Sequence, residues 1–231
     1  MKRYSVGSDI PMPTVSRMAA YLGCLASLEQ QRVTDVSSRE LAQMAGVTPE
    51  QVRQDLALFG RFGKRGSGYD VGRLREEVEG IFRADGERWV CCMVGAGSLG
   101  TALLSSRMTQ RWGFRYAAAF DSDAHKIGTH IGHVPVYHID DAKAVIRRER
   151  VEIGVIAVPA SSAQAVAGLL CDAGVQGIVN FAPVNIKVPQ KMPVIPVDIS
   201  QEFLKLAFCI QRARRREQEE RLQIEAASGA D

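Results

Sequence analysis

The feature that most constrains the fold is a glycine-rich stretch in the middle of the chain, VGAGSLG at residues 94–100. It follows an apolar run, WVCCMV, and precedes a segment with helical spacing, so the G-x-G-x-x-G pattern stands between a strand and a helix. In that setting Gly95 permits a tight turn, Gly97 lets a phosphate approach the backbone, and Gly100 lets the helix pack on the strand. We therefore predict a dinucleotide-binding loop, with a glycine turn that binds nothing as the alternative. The loop residues are Gly95, Ala96, Gly97, Ser98, Leu99 and Gly100.

An acidic residue follows this loop at the distance that a dinucleotide site requires. Asp121 comes directly after the next apolar strand, FRYAAAF, and lies 21 residues beyond Gly100. A carboxylate there accepts hydrogen bonds from the hydroxyls of the adenine ribose and repels a ribose phosphate. We therefore predict that the site takes NADH or NAD+ rather than the 2′-phosphorylated forms, with Asp123 as the alternative acid.

A second loop, AVPASSAQ, follows the later apolar strand. The carboxyl ends of parallel strands meet at one edge of a sheet, so we expect Pro159, Ala160 and Ser161 beside the nicotinamide half of the ligand. A plain strand-to-helix turn, with Ser161 or Ser162 as the helix cap, is the alternative, and the two interpretations are compatible.

From Trp89 onward, strand patterns alternate with helical patterns. This alternation predicts βαβ units and an α/β fold with a Rossmann-type parallel sheet. The run IGVIAV is continuously apolar, as expected for a strand that is covered on both faces. We divide the chain into residues 1–85, 86–198 and 199–231, which are an N-terminal domain, the Rossmann-type domain, and a C-terminal helix with a charged tail.

The N-terminal domain has the pattern of a winged helix-turn-helix. Ser37 or Ser38 caps a short predicted helix that ends at Gly46, and Thr48 followed by Pro49 begins a second one. The segment GRFGKRGSGYDV, rich in glycine and with two adjacent cations, suits a β-ribbon wing.

Charge and helix geometry predict that this domain binds double-stranded DNA. The second helix of such a motif enters the major groove with its N-terminus first, and a wing reaches phosphates or the minor groove. Arg53, Arg61, Lys64 and Arg65 against Asp55 give a local charge of 4 − 1 = +3. A winged helix that binds protein is the alternative. The predicted contacts are Thr48, Gln51 and Gln54 with bases, Arg53 with guanine or a phosphate, and Lys64 and Arg65 at the wing tip.

The chain closes with a predicted helix over residues 199–227 whose two halves differ. The first half is too apolar for solvent, so we expect it to pack on its own sheet or on a partner subunit. The second half, RARRREQEERLQIE, we interpret as a solvated helix end, with a DNA contact as the alternative.

Composition narrows the class of protein further. The 231 residues carry a net charge of only +3, so a nucleic-acid surface must be local. We expect neither a signal peptide nor a membrane span. The five cysteines have no CxxC spacing, which argues against a zinc or disulfide framework and for reduced thiols in a cytoplasm.

Taken together, these stretches resemble the Rex family of redox-sensing transcriptional repressors. The resemblance runs from Ile10 to about Arg212. It rests on IPMPTVSRMAAYL, QVRQDLALFGRFGKRGSGYDV, VGAGSLGTAL, AAFDSDAHKIG, VPVYHIDD, AVPASSAQ, GIVNFAP and VDISQEFLKLAF. It implies a homodimer in which each terminal helix is swapped onto the other subunit. Nicotinamide is a cation in NAD+ and neutral in NADH, so an apolar pocket closed by the swapped helix would favour NADH, with Phe203 as the candidate lining residue. The resemblance also implies binding of operator DNA when NADH is scarce, and release when NADH rises. Arg17 and Asp198 match the pair that links the NADH pocket to the DNA-binding domain, whereas Arg53-Gln54 departs from the family, which often has two consecutive cations there.

The rival interpretation is an NAD-dependent oxidoreductase with an appended winged helix. Such an enzyme needs an acid–base group beside the nicotinamide. All four histidines instead follow the second strand, nearer the predicted adenosine half. They are His125, His130, His133 and His138. We therefore predict a sensor without catalytic or metal-binding residues.

Overall fold

The computed structural model describes residues 10–60, 62, 68–82, 88–106 and 112–228, with side chains as far as residue 219. The chain divides into two compact units, Met1–Arg88 and Trp89–Asp231. Among the described residues, no helix is long and apolar enough to cross a membrane.

The first unit, in its described part, consists of four helices and a short strand pair. Side chains at helical spacing on α1 meet those of the other helices in a fully buried centre. The elements are α1 (Met12–Gln30), β1 (Asp35–Val36), α2 (Ser38–Ala45), α3 (Pro49–Phe59), β2 (Tyr69–Asp70) and α4 (Val71–Phe82). The side chains with no exposed surface include Met18, Tyr21, Leu25, Leu41, Val52 and Val78.

Helices α2 and α3 form the predicted helix-turn-helix. Local sequence explains where each helix begins and where α2 ends. The Ser37 hydroxyl accepts a hydrogen bond from the Glu40 N–H at 3.2 Å, while the Glu40 carboxylate accepts one from the Ser37 N–H at 2.8 Å. Gly46 ends α2 with a φ of +69°, a conformation that favours glycine. Thr48 then caps α3 by accepting from the Gln51 N–H at 3.2 Å. These caps fix the tight turn that joins the two helices.

The strand that follows α3 pairs with a strand outside the predicted wing segment GRFGKRGSGYDV. β2 pairs antiparallel with β1, which precedes α2. Val36 of β1 is only 3 % exposed, and burial of this β-branched side chain holds the two-residue strand in place. The predicted wing cations Arg61, Lys64 and Arg65 lie outside the described residues.

The second unit is built on a seven-stranded sheet. Its strand order is β5-β6-β4-β3-β7-β8-β9, parallel from β6 to β9 with β5 antiparallel at one edge. This is the order of a doubly wound dinucleotide-binding sheet, in which the winding reverses between β3 and β7. The predicted Rossmann-type fold is confirmed. The elements are β3 (Trp89–Val94), α5 (Ser98–Ser105), β4 (Phe114–Asp121), β5 (His130–Ile131), β6 (Val134–His138), α6 (Ala142–Arg148), β7 (Ile153–Ile156), α7 (Ala160–Ala173), β8 (Gly177–Asn180), β9 (Val194–Pro196) and α8 (Ser200–Ser228).

The central strand β3 shows that both faces of this sheet are covered. Cys92 and Val94 belong to the apolar cluster on one face, and Cys91 and Met93 belong to the cluster on the other. Burial raises the pKa of the Cys91 and Cys92 thiols to about 12. Both thiols therefore stay protonated and are poor nucleophiles.

Helix α8 leaves its apolar half uncovered. Every described side chain of this helix is exposed. The exposed fraction is 70 % for Phe203 and Leu204, and 65 % for Phe208. The sequence predicts that this half packs either on its own sheet or on a partner subunit, and packing on its own sheet is not observed. An exposed apolar surface of this size is typical of an interface, and packing on a partner subunit stays a prediction.

Candidate functional site

Three glycines shape the loop after β3, each for a different reason. Gly95 has a φ of +99°, and an added Cβ would lie 2.4 Å from the Ala157 carbonyl oxygen. A Cβ on Gly100 would lie 1.9 Å from the Gly95 carbonyl oxygen, so this glycine lets α5 pack on the turn. A Cβ on Gly97 would lie in open space: apart from its neighbours in the chain, no heavy atom of the described residues would lie within 4 Å of it. Gly97 therefore leaves the open approach that a pyrophosphate needs.

The start of α5 completes the anion-binding geometry. Gly97 occupies the position before the helix and offers no capping side chain. The first N–H groups of a helix have no partner within it, so those of Ser98 and Leu99 can donate to a phosphate.

Asp121, at the end of β4, is fixed against the glycine loop. Its Oδ2 accepts hydrogen bonds from the Ala96 N–H at 2.8 Å and from Lys126 Nζ at 3.1 Å. Its Oδ1 accepts from the Asp123 N–H at 2.9 Å. Burial disfavours the charged form, but these bonds outweigh burial and hold the pKa of Asp121 below its usual value. Asp121 is thus an oriented anion where the adenine ribose is expected, whereas the Asp123 carboxylate accepts from the His125 N–H.

Lys126 is a residue of this site that sequence analysis missed. Its ammonium lies 3.1 Å from Asp121 and 3.6 Å from Asp123. The hydrogen bond to Asp121 raises the pKa of Lys126, so the ammonium stays charged. Two carboxylates against one cation leave this end of the site negative, which still disfavours a ribose phosphate. The only available signal was a lysine five positions after Asp121, which is too common a pattern to single out.

A cavity of about 400 Å³ opens beside the loop. The ends of β3, β4 and β7 border it, at the point where the winding of the sheet reverses and doubly wound folds bind their ligands. Its lining includes Gly95, Gly97, Asp121, Lys126, Pro159 and Ser162. The predicted loop and acid are therefore brought together around one cavity.

Only some of the residues predicted beside the nicotinamide line this cavity. Pro159 lines it, as does Ser162, the alternative serine. Ala160 and Ser161 begin α7 and are exposed. Phe203 lies on the uncovered half of α8 and is not part of the described lining, so its role stays a prediction about a partner subunit.

The predicted DNA-contacting side chains of α3 are all at least partly accessible. Thr48, Arg53 and Gln54 are exposed, and Gln51 is half-buried. Arg53 donates from Nη1 to the Ser38 hydroxyl at 3.1 Å and from Nη2 to the Glu50 carboxylate. A DNA contact by Arg53 would therefore compete with these two groups of its own unit.

Asp55 is buried, although the local charge of +3 predicted from the sequence counted it as a surface residue. It is 1 % exposed and pairs with Arg17 of α1, whose Nε and Nη2 donate to its two oxygens at 2.6 and 2.7 Å. Burial disfavours the charged carboxyl, but bonds from Arg17, Tyr21 and Gln51 outweigh burial and hold the pKa of Asp55 below its usual value. The negative charge of Asp55 is therefore buried and paired with the partly exposed Arg17, and it does not offset the exposed cations of this unit.

Asp198, the predicted partner of Arg17, caps the start of α8. It accepts hydrogen bonds from the Ser200 N–H at 2.9 Å and from the Ser200 hydroxyl, and these bonds lower its pKa. Arg17 and Asp198 thus each have a partner within their own unit here. The link between them stays a prediction.

Two family models match the two units in turn. Residues 9–57 match a putative DNA-binding protein N-terminus, and residues 87–184 match a CoA binding domain. The first range contains the helix-turn-helix, and the second contains the glycine loop and Asp121.

Relatives and solved structures match nearly the whole chain. It is 45 % identical over 206 residues to the redox-sensing transcriptional repressor Rex of Carboxydothermus hydrogenoformans, covering 89 % of this chain and 99 % of the relative. It is 39 % identical over 204 residues to that of Rhodopirellula baltica, covering 88 % and 86 %. The structure of RSP with beta-NADH matches with a TM-score of 0.83 and 29 % identity, covering 91 % and 99 %. RSP with beta-NAD+ and operator DNA matches with a TM-score of 0.80 and 30 % identity, covering 91 % and 97 %.

The relatives are named as regulators, not as enzymes, and the identity extends across both units, over the helix-turn-helix and the glycine loop alike. The chain belongs to the Rex family of redox-sensing transcriptional repressors.

Proposed function

We propose that this protein is a DNA-binding repressor that responds to the balance between NADH and NAD+. It binds operator DNA when NADH is scarce and is released when NADH rises. The observation that carries the proposal is that one chain contains both a helix-turn-helix unit and a dinucleotide-binding sheet, with a cavity at the point where the winding of that sheet reverses. RSP, with the same fold over 91 % of this chain, has been solved with beta-NADH, and with beta-NAD+ and operator DNA.

The glycine loop and Asp121 hold the half of the ligand that NADH and NAD+ share. Gly97 has the open space, and α5 has the N–H groups, that a pyrophosphate needs. Asp121 receives the ribose hydroxyls. Because both redox forms carry this half, the loop cannot distinguish them.

Discrimination between the redox forms arises at the nicotinamide. Pro159, Ala160 and Ser161 lie at that end, and α8 of a second subunit covers it with Phe203 against the ring. A pocket of this kind disfavours the cationic ring of NAD+ through desolvation. The uncovered apolar half of α8 supports this homodimer, because those side chains need a partner surface.

The N-terminal domain, residues 1–85, carries the DNA contacts, and we place its action in the cytoplasm with the DNA. α3 lies in the major groove, and the wing reaches the backbone. The contacts are those predicted from the sequence: Thr48, Gln51, Arg53 and Gln54 on α3, and Lys64 and Arg65 on the wing.

Closing of the nicotinamide pocket moves the two recognition helices off their half-site spacing. Residues 86–198 hold the cofactor, residues 199–231 hold the dimer together, and Asp198 carries the signal to Arg17. A ligand shifts such an equilibrium only through its different affinity for the two states.

One titration tests this function. DNA binding is measured by fluorescence anisotropy at fixed salt while NADH or NAD+ is added. NADH is expected to release DNA at concentrations where NAD+ does not, and DNA is expected to weaken NADH binding by the same factor. An affinity for DNA that NADH leaves unchanged refutes the proposal.

A further inference from the structure

The carboxylate of Asp55 is unusually completely bound. Its Oδ1 accepts from Arg17 Nη2 at 2.7 Å and from Gln51 Nε2 at 3.0 Å. Its Oδ2 accepts from Arg17 Nε at 2.6 Å and from the Tyr21 hydroxyl at 2.8 Å. An ionised carboxylate has about four acceptor sites, so all are filled and the group has one orientation.

This carboxylate dictates how the Gln51 amide is turned. An ionised carboxylate only accepts hydrogen bonds, so the amide must present its nitrogen to Asp55 and its oxygen elsewhere. The two residues are one helical turn apart on α3, where such side-chain pairs meet. The Gln51 backbone is held as well, because its N–H donates to the Thr48 hydroxyl at 3.2 Å. Gln51, in the first turn of α3, therefore has its side chain already oriented.

The orientation leaves a defined pair of groups for a ligand. Oε1 is an acceptor, and the second N–H of the amide is a donor. In the major groove, adenine offers the complement, an amino donor beside the N7 acceptor. Guanine offers two acceptors, N7 and O6, and thymine offers the O4 acceptor, so neither can donate to Oε1 from this edge. Cytosine can donate to Oε1 through its amino group, but it offers no acceptor beside that group for the second N–H of the amide.

We propose that Asp55 is a positioning residue for base recognition: it holds Gln51 with Oε1 facing outward and thereby selects adenine at one position of each half-site. The inference rests on the proposed function, since it needs α3 to lie in the major groove. It assigns a specificity role to a buried residue that does not itself touch DNA.

The test compares base preferences. The full-length parent protein selects duplexes from a pool with a randomised centre, and Gln51→Ala identifies the position that Gln51 reads. Asp55→Asn is expected to lose the adenine preference there, because an amide at residue 55 also donates and lets the Gln51 amide turn over. The preference then moves toward bases that offer acceptors.

Two matched variants serve as controls. Tyr21→Phe removes a hydrogen bond from Asp55 that Gln51 does not share, and it is expected to keep the adenine preference. Gln31→Ala changes an exposed glutamine of the same unit that is not among the predicted DNA contacts, and it is expected to leave the adenine preference unaltered. Thermal melting of each variant separates a change of preference from a loss of folding.

A second measurement needs no variant at residue 55. Replacing the selected adenine by purine removes only the amino group, and it should weaken binding by the parent about tenfold and by Gln51→Ala hardly at all. The inference is overturned if purine binds the parent as tightly as adenine does, or if a folded Asp55→Asn selects the same base as the parent. A parent protein that selects no duplex overturns the proposed function itself, and this inference with it.

Discussion

Gly97 and Gly100 lie three residues apart at the start of α5, and the structure predicts different consequences for the same substitution. Gly97→Ala adds a methyl group in open space at the edge of the cavity. Gly97 has φ −74° and ψ −167°, an extended backbone that alanine also adopts. Reduced freedom of the unfolded chain favours the alanine variant by about 0.4–1 kcal/mol. Alanine is less favourable than glycine at the position before a helix, so the two effects oppose each other and the stability should change little.

The same methyl group should weaken cofactor binding. It occupies the space through which the pyrophosphate approaches, so the phosphates lie farther from the N–H groups of α5. Each hydrogen bond to a charged group contributes about 1.5–3 kcal/mol. Loss of one such bond raises the Kd for NADH by about ten- to a hundredfold.

Gly100→Ala should act on the fold instead. Alanine is favoured in a helix over glycine by about 1 kcal/mol. However, its Cβ would lie 1.9 Å from the Gly95 carbonyl oxygen, where contacts below 3.0 Å are essentially never seen. Moving backbone to relieve this contact costs at least the roughly 1–3 kcal/mol typical of overpacking, so the clash outweighs the helix preference.

Thermal melting and NADH titration of the two variants check this reasoning together. Gly97→Ala is expected to melt close to the parent while binding NADH weakly, and Gly100→Ala is expected to melt several degrees lower. A Gly97→Ala variant with the parent's affinity for NADH refutes the assignment of Gly97 to the pyrophosphate.

Four further predictions concern single groups. Lys64→Ala with Arg65→Ala should weaken binding to all DNA sequences and reduce the salt slope by roughly 0.9 for each phosphate that the wing no longer neutralises; an unchanged slope in anisotropy titrations excludes the wing. Asp121→Ala should weaken NADH binding by about 1.5–3 kcal/mol and narrow the preference over NADPH, and calorimetry that finds no preference in the parent contradicts the role of this acid. Asp198→Ala should bind DNA but respond less to NADH, and a parent-like response in the same titration rules out the link. The pKa of Asp55 is lower in the folded than in the unfolded state, so its ionised form stabilises the fold above about pH 4. This contribution disappears on further acidification. The difference in stability between the parent and Asp55→Asn, measured by urea unfolding, should therefore narrow in acid.

The glycine loop and the sheet were predictable because their signals are local. Gly95, Gly97 and Gly100 have spacing that only a strand–turn–helix satisfies, and the alternation of apolar strands and helices after Trp89 has few solutions other than a doubly wound sheet. The caps at Ser37 and Thr48 likewise act within four residues of themselves. In each case the signal lies within a short stretch of the sequence.

The features that could not be predicted depend on contacts between residues that are distant in the sequence or on the path of a loop. Arg17 and Asp55 are 38 positions apart, and no local pattern distinguishes a buried aspartate from a surface one on a polar helix face. The strand Asp35–Val36 is too short to carry an alternating pattern, so its pairing with Tyr69–Asp70 could not be predicted. Lys126 belongs to the site only because the loop after β4 folds back toward Asp121.

The hydrogen bond from the Ala96 N–H to Asp121 has a kinetic consequence. It ties the glycine loop to the end of the neighbouring strand without help from a ligand. A loop whose shape is already set has no ordering step, so the entry of a nucleotide should be limited by diffusion into the cavity and not by rearrangement. Differences in affinity among nucleotides that share the adenosine half should then lie in how long each one stays bound.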